Sequence, residues 1–217
     1  MIENDLLTKI KQDIREKKLV AGTPLKQVEL AKRYQVSRIP IRDAIQILKS
    51  DGWLIGHGKC GTMVPQLTWQ EAEDLYVMRS AFEVRLLQLA FPNLSNALLG
   101  EAEDLLILLN QNKQTIEGKG RLNWRFHKLL YLPANRPTMF KVVEQLHSQV
   151  ERYMSFQSGV LFYEQKSQSE HKLLIQRLRE GQIDHATDVL RNHIEVAGKQ
   201  LVEYLRNNEY KKEESVI

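Results

Sequence analysis

Residues 22–64 read GTPLKQVELAKRYQVSRIPIRDAIQILKSDGWLIGHGKCGTMV, and this stretch decides the fold of the first part of the chain. Apolar residues recur at helical spacing on either side of 34–36, which predicts two short helices joined by a tight turn. A glycine-rich segment follows, in which residues 53–55 are predicted to pair with 62–64 as a hairpin. Helix, turn, helix and hairpin in this order predict a winged helix-turn-helix, which places one helix in the major groove of DNA.

The second of these two helices carries the predicted DNA contacts. Ser37 is its predicted N-cap, because serine commonly satisfies the free backbone N–H groups of a first helical turn. One face is apolar and is predicted to be buried: Ile41, Ala44, Ile45 and Leu48. Arg38, Arg42 and Gln46, spaced four apart, then share the outer face.

Arginine and glutamine suit groove reading, since their paired polar groups match the base edges of guanine and adenine. An ordinary solvated helix face is the alternative, and the preceding turn and following wing favour groove contact. In the wing, Lys59 supplies positive charge, and the glycines let the backbone approach a phosphate or the minor groove. Cys60 and His57 at the same tip are interpreted as incidental, because two residues on a loop are too few for a metal or redox site.

Charge is distributed unevenly along the 217 residues. Residues 1–66 contain 12 Lys and Arg and 7 Asp and Glu, a net charge of +5. Residues 67–217 contain 19 Lys and Arg and 20 Asp and Glu, a net charge of −1. The sequence pI of about 9.1 therefore comes from the N-terminal third. A polyanionic partner is indicated for that third alone, although a solvated lysine-rich surface would give the same count.

The sequence also limits where the protein is expected to act. A single cysteine excludes an intramolecular disulfide and favours a reducing compartment. No uninterrupted apolar run near the N-terminus suggests a signal peptide or a membrane span. We therefore expect a soluble, cytoplasmic protein with no membrane partner.

The remainder of the chain is predicted to be helical throughout, giving a mainly α fold class. The expected division is a DNA-binding domain over 1–66, a linker over 67–69, an all-helical domain over 70–210 and a frayed tail over 211–217. Thr68 is the predicted N-cap of a helix ending near Ala90. Further helices are predicted over 95–117, 121–132, 138–158, 168–180 and 183–207, with breaks that include Gly118 and Gly120. Six helices, possibly seven, without strand patterns between them predict an antiparallel bundle able to hold a small ligand.

Histidines are the candidate metal ligands of this bundle. Asn123 and His127 stand four apart and share a helix face, while His171 and His193 lie on two later helices. Imidazole suits zinc, nickel and similar divalent ions, so three histidines from three helices could form one site. The alternative is that they are hydrogen-bonded core or boundary residues. His147 and His185 are interpreted as surface or packing residues.

Residues 22–64 resemble the DNA-binding domain of the GntR family of bacterial transcription factors, above all in VSRIPIRDAIQIL, in DGWL and in the glycine-rich wing. The resemblance implies that a serine-arginine pair, a later arginine and the wing contact operator DNA. These positions are Ser37, Arg38, Arg42, Lys59 and Gly61. Two positions depart from the family pattern: Ile39 replaces a hydroxyl residue, and Lys59-Cys60 replaces an arginine-glycine wing tip.

Residues 74–193 resemble the helical FCD domain of the FadR subgroup of that family, in LYVMRSAFEVRLLQLA, LNWRFHKLL, SEHKLLIQRLREGQIDHA and LRNHI. Many such domains bind a divalent metal through one aspartate and three histidines. The resemblance therefore implies a zinc or nickel site at Asn123, His127, His171 and His193. Asn123 departs from the pattern, because its neutral carbonyl stands where a carboxylate is usual. This change is expected to weaken metal binding and to leave the site one charge more positive.

The same resemblance implies a small organic acid as effector, bound at the open positions of the metal. Arg79 is the expected second anchor for its carboxylate, with Tyr131 and Tyr153 lining the cavity. A surface ion pair between Arg79 and Glu83 is the alternative for that arginine. The expected function is a regulator, most simply a repressor, which binds a pseudo-palindromic operator as a homodimer.

Two other functions stay open from the sequence. The bundle could be a metal-assisted hydrolase that the N-terminal domain recruits to DNA. Such an enzyme needs a carboxylate near the histidines as general base, and none is expected there. Glu170 is next to His171 in sequence, but its side chain is expected to point elsewhere on the helix. Alternatively, the metal ion itself could be the effector, which would make the protein a metal sensor.

Overall fold

Helices account for most of the chain, as the amphipathic patterns predict, and the mainly α fold class is confirmed. The computed structural model describes residues 2–58, 61–111, 115–153 and 164–214. It separates the chain into two units, residues 1–67 and residues 68–217.

The N-terminal unit combines three helices with a small antiparallel sheet. Its helices are α1 (Ile2–Arg15), α2 (Gln27–Tyr34) and α3 (Arg38–Ser50). Its strands are β1 (Pro24–Leu25), β2 (Ile55–His57) and β3 (Gly61–Met63), in the spatial order β1-β3-β2. Gln35 adopts a left-handed conformation with φ of 55°, which ends α2 and makes the tight turn into α3. The unit is therefore a winged helix-turn-helix.

Three details of this unit differ from the sequence predictions. Trp53 and Leu54 lie before β2 rather than in it, because their backbone N–H groups donate to the carbonyl of Leu48 in α3, and their side chains are buried in the core. Leu19 is also buried but lies beyond the end of α1, after Lys17 takes a φ of 57°. The two-residue strand β1 was not predicted, since two residues are too few to show an alternating pattern.

The second unit contains six α-helices within the residues that the structure describes. These are α4 (Trp69–Ala90), α5 (Asn96–Leu109), α6 (Ile116–Tyr131), α7 (Pro137–Val150), α8 (Glu164–Arg179) and α9 (Ile183–Glu214). Short 3-10 turns over Phe91–Asn93, Leu132–Ala134 and Glu151–Tyr153 follow α4, α6 and α7. The predicted cap of α4 is confirmed, since the Thr68 hydroxyl accepts a hydrogen bond from the Glu71 N–H at 3.2 Å.

Several predicted boundaries in this unit were wrong. Gly118 and Gly120 do not break a helix but lie buried within α6. Thr115 starts α6 by accepting a hydrogen bond from the Gly118 N–H at 3.0 Å, so capping and burial outweigh the low helix propensity of glycine. Helix α9 runs to Glu214, past its predicted end at 207 and into the predicted tail. Part of the predicted helix over 138–158 falls on residues 154–163, outside the described residues.

Helices α4 and α9 pack closely along one another. A Cβ atom at Gly198 of α9 would lie 2.6 Å from the ring of Tyr76 on α4, so only glycine allows this approach. Helix α4 also contacts α6 and α7, and α9 also contacts α8. These contacts bring α4, α6, α7, α8 and α9 around a shared interior. No helix among the described residues is long and apolar enough to cross a membrane.

Candidate DNA-binding surface and metal centre

Helix α3 has one buried and one exposed face, as predicted. Its buried face consists of Ile41, Ala44, Ile45 and Leu48, none of them more than 4% exposed. Arg38, Arg42 and Gln46 are all exposed on the other side. Arg42 donates to Asp43 at 3.2 Å, an exposed pair that leaves its guanidinium accessible to solvent. The helix therefore presents a row of polar side chains of the kind that reads base edges.

Ser37 precedes α3 as its N-cap, but its side chain makes no capping hydrogen bond. The hydroxyl is exposed beside the free N–H groups of the first turn, a position suited to a phosphate. Gly61, at the start of β3, has a structural requirement of its own: a Cβ there would lie 2.9 Å from the backbone oxygen of His57. Lys59, the predicted charge of the wing tip, lies outside the described residues.

Three histidines converge in the interior of the helical unit. His127 comes from α6, His171 from α8 and His193 from α9, and one ring nitrogen from each lies within 4.8 Å of the others. All three are buried, with 0%, 1% and 7% exposure. Among the described residues, these three histidines form the candidate metal site. Asn123 stands one turn before His127 on α6 and is half-buried.

Several nitrogens of this cluster have no hydrogen-bond partner among the described residues. They are Nε2 of His127 and both ring nitrogens of His171. Buried polar atoms are rarely left unpaired, so each calls for an explanation, and a metal ion is one that the donor chemistry fits. Burial lowers the pKa of both histidines well below the usual 6.5, with the neighbouring histidines contributing to the same effect. Neutral imidazole is the form that binds a metal.

His193 is oriented by the carboxylate of Glu170. Its Nδ1 lies 2.8 Å from Oε2 of Glu170 on α8. Glu170 was expected to point away from the site, and that expectation was wrong, because the side chain reaches across from α8 to α9. A carboxylate on the second nitrogen of a ligating histidine orients the ring and strengthens it as a ligand.

His127 is held by a second chain of hydrogen bonds. Its Nδ1 lies 3.2 Å from the hydroxyl of Tyr131, one turn later on α6. That hydroxyl donates to Oε2 of Glu83 on α4 at 2.7 Å. The predicted cavity residue Tyr131 is thus next to the cluster, at 1% exposure.

Arg79 and Glu83 form a buried ion pair, whereas a surface pair was the alternative considered from the sequence. The Arg79 Nε donates to Oε1 of Glu83 at 2.7 Å, and the two residues are 6% and 0% exposed. Burial by itself would raise the pKa of Glu83, but the charge of Arg79 and the hydrogen bond with His147 prevail and hold that pKa well below 4.5. Glu83 is therefore ionised.

His147 belongs to this network, although the sequence suggested only a surface or packing role. Its Nε2 lies 3.1 Å from Oε1 of Glu83, and its ring centroid is 5.9 Å from that of His127. It is 8% exposed and packs on the ring of Trp124 at 4.2 Å. No spacing signal separated it from an ordinary helix residue, because its partners come from α4 and α6. His185, by contrast, is exposed, as expected.

Tyr153 does not accompany the cluster. Its hydroxyl donates to Oε2 of Glu71 at 2.6 Å, near the first residues of α4. Glu71 and Glu83 are twelve residues apart on one helix, which corresponds to about 18 Å at 1.5 Å per residue. The prediction that Tyr153 lines the same cavity as Tyr131 is therefore not supported by its position.

A groove of about 560 Å³ runs between α4 and α9, and none of the histidines lines it. Its charged lining consists of Glu73, Glu195, Glu203, Arg191, Lys199 and Arg206. Three carboxylates balance three cations, so the lining of the groove carries no net formal charge. The histidine cluster differs, because a divalent ion there would create a strongly cationic point.

Comparisons with known proteins agree with both halves of this description. Residues 3–64 match the family of bacterial regulatory proteins called the gntR family, and residues 74–196 match the FCD domain. The chain belongs to the GntR family. Its DNA-binding unit is of the GntR type, and its helical unit is an FCD domain.

Individual relatives point the same way. The chain is 30% identical over 118 residues to the uncharacterised HTH-type transcriptional regulator YdhC of Bacillus subtilis, a match that spans half of each protein. It is 27% identical to the HTH-type transcriptional repressor RspR of Escherichia coli K12, over 68% of this chain and 66% of that protein. The structure of E. coli McbR/YncC superposes with a TM-score of 0.77 at 20% identity, covering 94% and 98% of the two chains, which supports the fold.

Family membership settles the broad class of function. GntR-family proteins with an FCD domain are transcription factors, not enzymes. The protein is therefore a DNA-binding transcriptional regulator, and the alternative of a metal-assisted hydrolase is wrong.

Proposed function

We propose that this regulator is a repressor that binds a pseudo-palindromic operator as a homodimer and holds a divalent metal ion in its FCD domain. A small organic acid is its effector, and the protein releases the operator when this acid binds. The observation that carries the proposal is the cluster of His127, His171 and His193, in which Nε2 of His127 and both ring nitrogens of His171 are buried without a hydrogen-bond partner among the described residues. The relative RspR, named a repressor, supports the sign of regulation.

The DNA contacts in this proposal come from the exposed face of α3 and from the wing. Arg38, Arg42 and Gln46 read base edges, while Ser37 and the backbone at Gly61 lie against phosphates. Lys59 adds charge to the wing. One helix reads only a few base pairs, so two copies related by a two-fold axis supply the affinity and set the half-site spacing.

The metal ligands in this proposal are His127, His171 and His193, completed by the carbonyl oxygen of Asn123. Zinc and nickel both suit a site rich in imidazole. A bound divalent ion would supply a positive charge with coordination positions left for an external carboxylate. Because Asn123 is neutral, that charge is not reduced by the protein ligands, and an anionic effector is favoured.

The chain's own side chains then select and orient the effector. Arg79 is already paired with Glu83, so an entering carboxylate shares its guanidinium with that side chain rather than meeting a free cation. Tyr131 borders the site beside His127. Both Arg79 and Glu83 lie on α4, the first helix after the DNA-binding unit, so effector binding acts on this helix and changes the separation of the two DNA-binding units.

Elemental analysis of freshly purified protein tests the metal part of the proposal. We expect about one zinc or nickel ion per chain in the wild-type protein, and none in a His127→Ala, His171→Ala double variant. His185→Ala is the matched control, because this exposed histidine of α9 should leave the metal content unchanged. Far-UV circular dichroism checks that the double variant keeps its helices.

Operator binding by the metal-loaded protein then tests the effector. We expect small carboxylates to weaken binding to an operator fragment in the wild-type protein and not in the double variant. If the metal alone changes operator affinity and no carboxylate does, the ion is the effector and the protein is a metal sensor. A wild-type chain without metal, whose thermal stability does not rise when zinc or nickel is added, would contradict the proposed site.

A further inference from the structure

Which nitrogen a histidine offers to a metal depends on where its proton is held. We propose that Tyr131 and Glu83 act as positioning residues that fix His127 in the tautomer with its proton on Nδ1, so that Nε2 faces the metal. This inference rests on the proposed metal function of the histidine cluster and adds to it two residues outside the ligand set.

The direction of each hydrogen bond follows from counting protons. Glu83 is ionised and can only accept, and it accepts from Arg79 Nε and from the Tyr131 hydroxyl, each at 2.7 Å. A tyrosine hydroxyl carries one proton at neutral pH, and the 2.7 Å separation from the carboxylate of Glu83 makes it a donor there. That one proton is directed to Glu83. The hydroxyl oxygen can then only accept from Nδ1 of His127, 3.2 Å away.

The consequence for His127 is a single favoured tautomer. With the proton on Nδ1, the lone pair of the neutral ring is on Nε2, the same atom that is buried without a partner. The other tautomer would set the Nδ1 lone pair against the lone pairs of the hydroxyl and would bury an N–H on Nε2 with no acceptor. Unsatisfied buried groups of this kind cost roughly 1–3 kcal/mol each.

The contribution of Glu83 to the site is orientation rather than charge. Its carboxylate is neutralised by Arg79, so it cannot replace the negative charge that an aspartate at position 123 would bring. Since Asn123 contributes only a neutral oxygen, the alignment of each histidine matters more to metal affinity. His193 has its own orienting partner in Glu170, whereas His127 depends on the Tyr131–Glu83 chain.

The protein contains a close control for this arrangement. Tyr153 is as buried as Tyr131, and its hydroxyl also donates to a carboxylate of α4, that of Glu71. Its hydroxyl also lies 3.3 Å from the backbone oxygen of Thr68, and the guanidinium of Arg152 lies over its ring. No histidine of the described residues bonds to its hydroxyl. Tyr131→Phe and Tyr153→Phe therefore each remove the hydroxyl of a buried tyrosine bonded to a glutamate, but only the first removes a partner of a proposed metal ligand.

Zinc affinity, measured by competition with a chromophoric chelator, separates the two variants. We expect Tyr131→Phe to bind zinc about 10- to 100-fold more weakly than the wild-type protein, the range found for lost outer-shell partners. Tyr153→Phe should keep wild-type affinity even if both variants lose similar thermal stability. Equal zinc affinity of Tyr131→Phe and the wild-type protein would overturn the proposal.

The tautomer of His127 can also be measured without metal. Long-range ¹H–¹⁵N NMR spectra of the zinc-free wild-type protein, assigned with His127→Ala, should show His127 protonated on Nδ1. Tyr131→Phe should convert this signal to a mixture of tautomers. A proton on Nε2 in the wild-type protein would overturn the inference. Failure of the wild-type protein to bind zinc would instead contradict the proposed metal site, and the spectrum would still decide the role of Tyr131.

Discussion

The N-terminal unit and the helical unit place their functional side chains at opposite depths. In the first, the core of the described residues is apolar apart from Thr62, and Ser37, Arg38, Arg42 and Gln46, which are proposed to contact DNA, are exposed. In the second, the described residues bury a set of polar and charged side chains: Arg79, Ser80, Glu83, His127, His147, Arg152, His171, Thr187 and His193. Function should therefore be separable from stability in the first unit and coupled to it in the second.

Acidification should give the largest difference between the units. Burial lowers the pKa of His127, His147 and His171 below the usual 6.5, although Glu83 opposes this effect at His127 and His147. As the pH falls below about 6.5, the unfolded chain takes up protons that the folded metal-free unit does not. Stability contributed by these neutral histidines is thus present above that pH and lost below it, by up to about 1.4 kcal/mol per histidine and pH unit.

Tryptophan fluorescence during urea unfolding of zinc-free protein tests this prediction. Trp69 and Trp124 report on the helical unit in a Trp53→Phe variant, and Trp53 reports on the other unit when the first two are replaced by phenylalanine. Between pH 7.5 and pH 5.5 the midpoint of the helical unit should fall. The DNA-binding unit has only the exposed His57, so a similar fall there would break the comparison.

Arg42→Ala tests the other side of the comparison. Because Arg42 is exposed, we expect no loss of stability, but a loss of about 1–3 kcal/mol in operator binding at each half-site. The salt dependence of binding should also fall if the lost contact includes a phosphate. Fluorescence anisotropy with a labelled operator at several salt concentrations measures both.

Arg85→Ala provides the control for that variant. Arg85 is also an exposed helical arginine, but it lies on α4 of the helical unit and bonds to Gln88. Its removal should leave operator affinity unchanged at every salt concentration. If the two arginine variants behave alike, α3 is not the recognition helix.

The same contrast explains what the sequence could predict. The two faces of α3, the Thr68 cap and the start of α7 near Pro137 depend on residues close in sequence, and each was predicted correctly. From the residues alone, convergence of the three histidines was one of two interpretations, because they lie on three helices, and the family resemblance then favoured it. Local signals thus describe the DNA-binding unit better than the metal site.

The errors follow from contacts between helices. Glu170 was judged by its neighbour His171 in sequence, but its partner His193 is on another helix. Tyr131 and Tyr153 looked equivalent as aromatic residues of the bundle, and only the packing of α4 separates their hydroxyls. The low helix propensity of glycine suggested a break at Gly118 and Gly120, but both residues are buried within α6.

The smallest expected effect compares two N-caps that look alike in sequence. Thr68 accepts a hydrogen bond from the Glu71 N–H, while the Ser37 hydroxyl makes no capping bond. Thr68→Ala should therefore destabilise the helical unit by about 1 kcal/mol and leave operator affinity intact. Ser37→Ala should leave stability nearly unchanged and weaken operator binding, because its hydroxyl is available to a phosphate.

Thermal unfolding and operator binding of the same two variants decide the matter. Opposite patterns would show that the N-terminal unit keeps a polar group free for its ligand where the helical unit uses the equivalent group for stability. If Ser37→Ala instead destabilised the protein as much as Thr68→Ala, its hydroxyl would be a cap in solution. The loss of operator affinity would then reflect a disordered first turn of α3 rather than a missing phosphate contact.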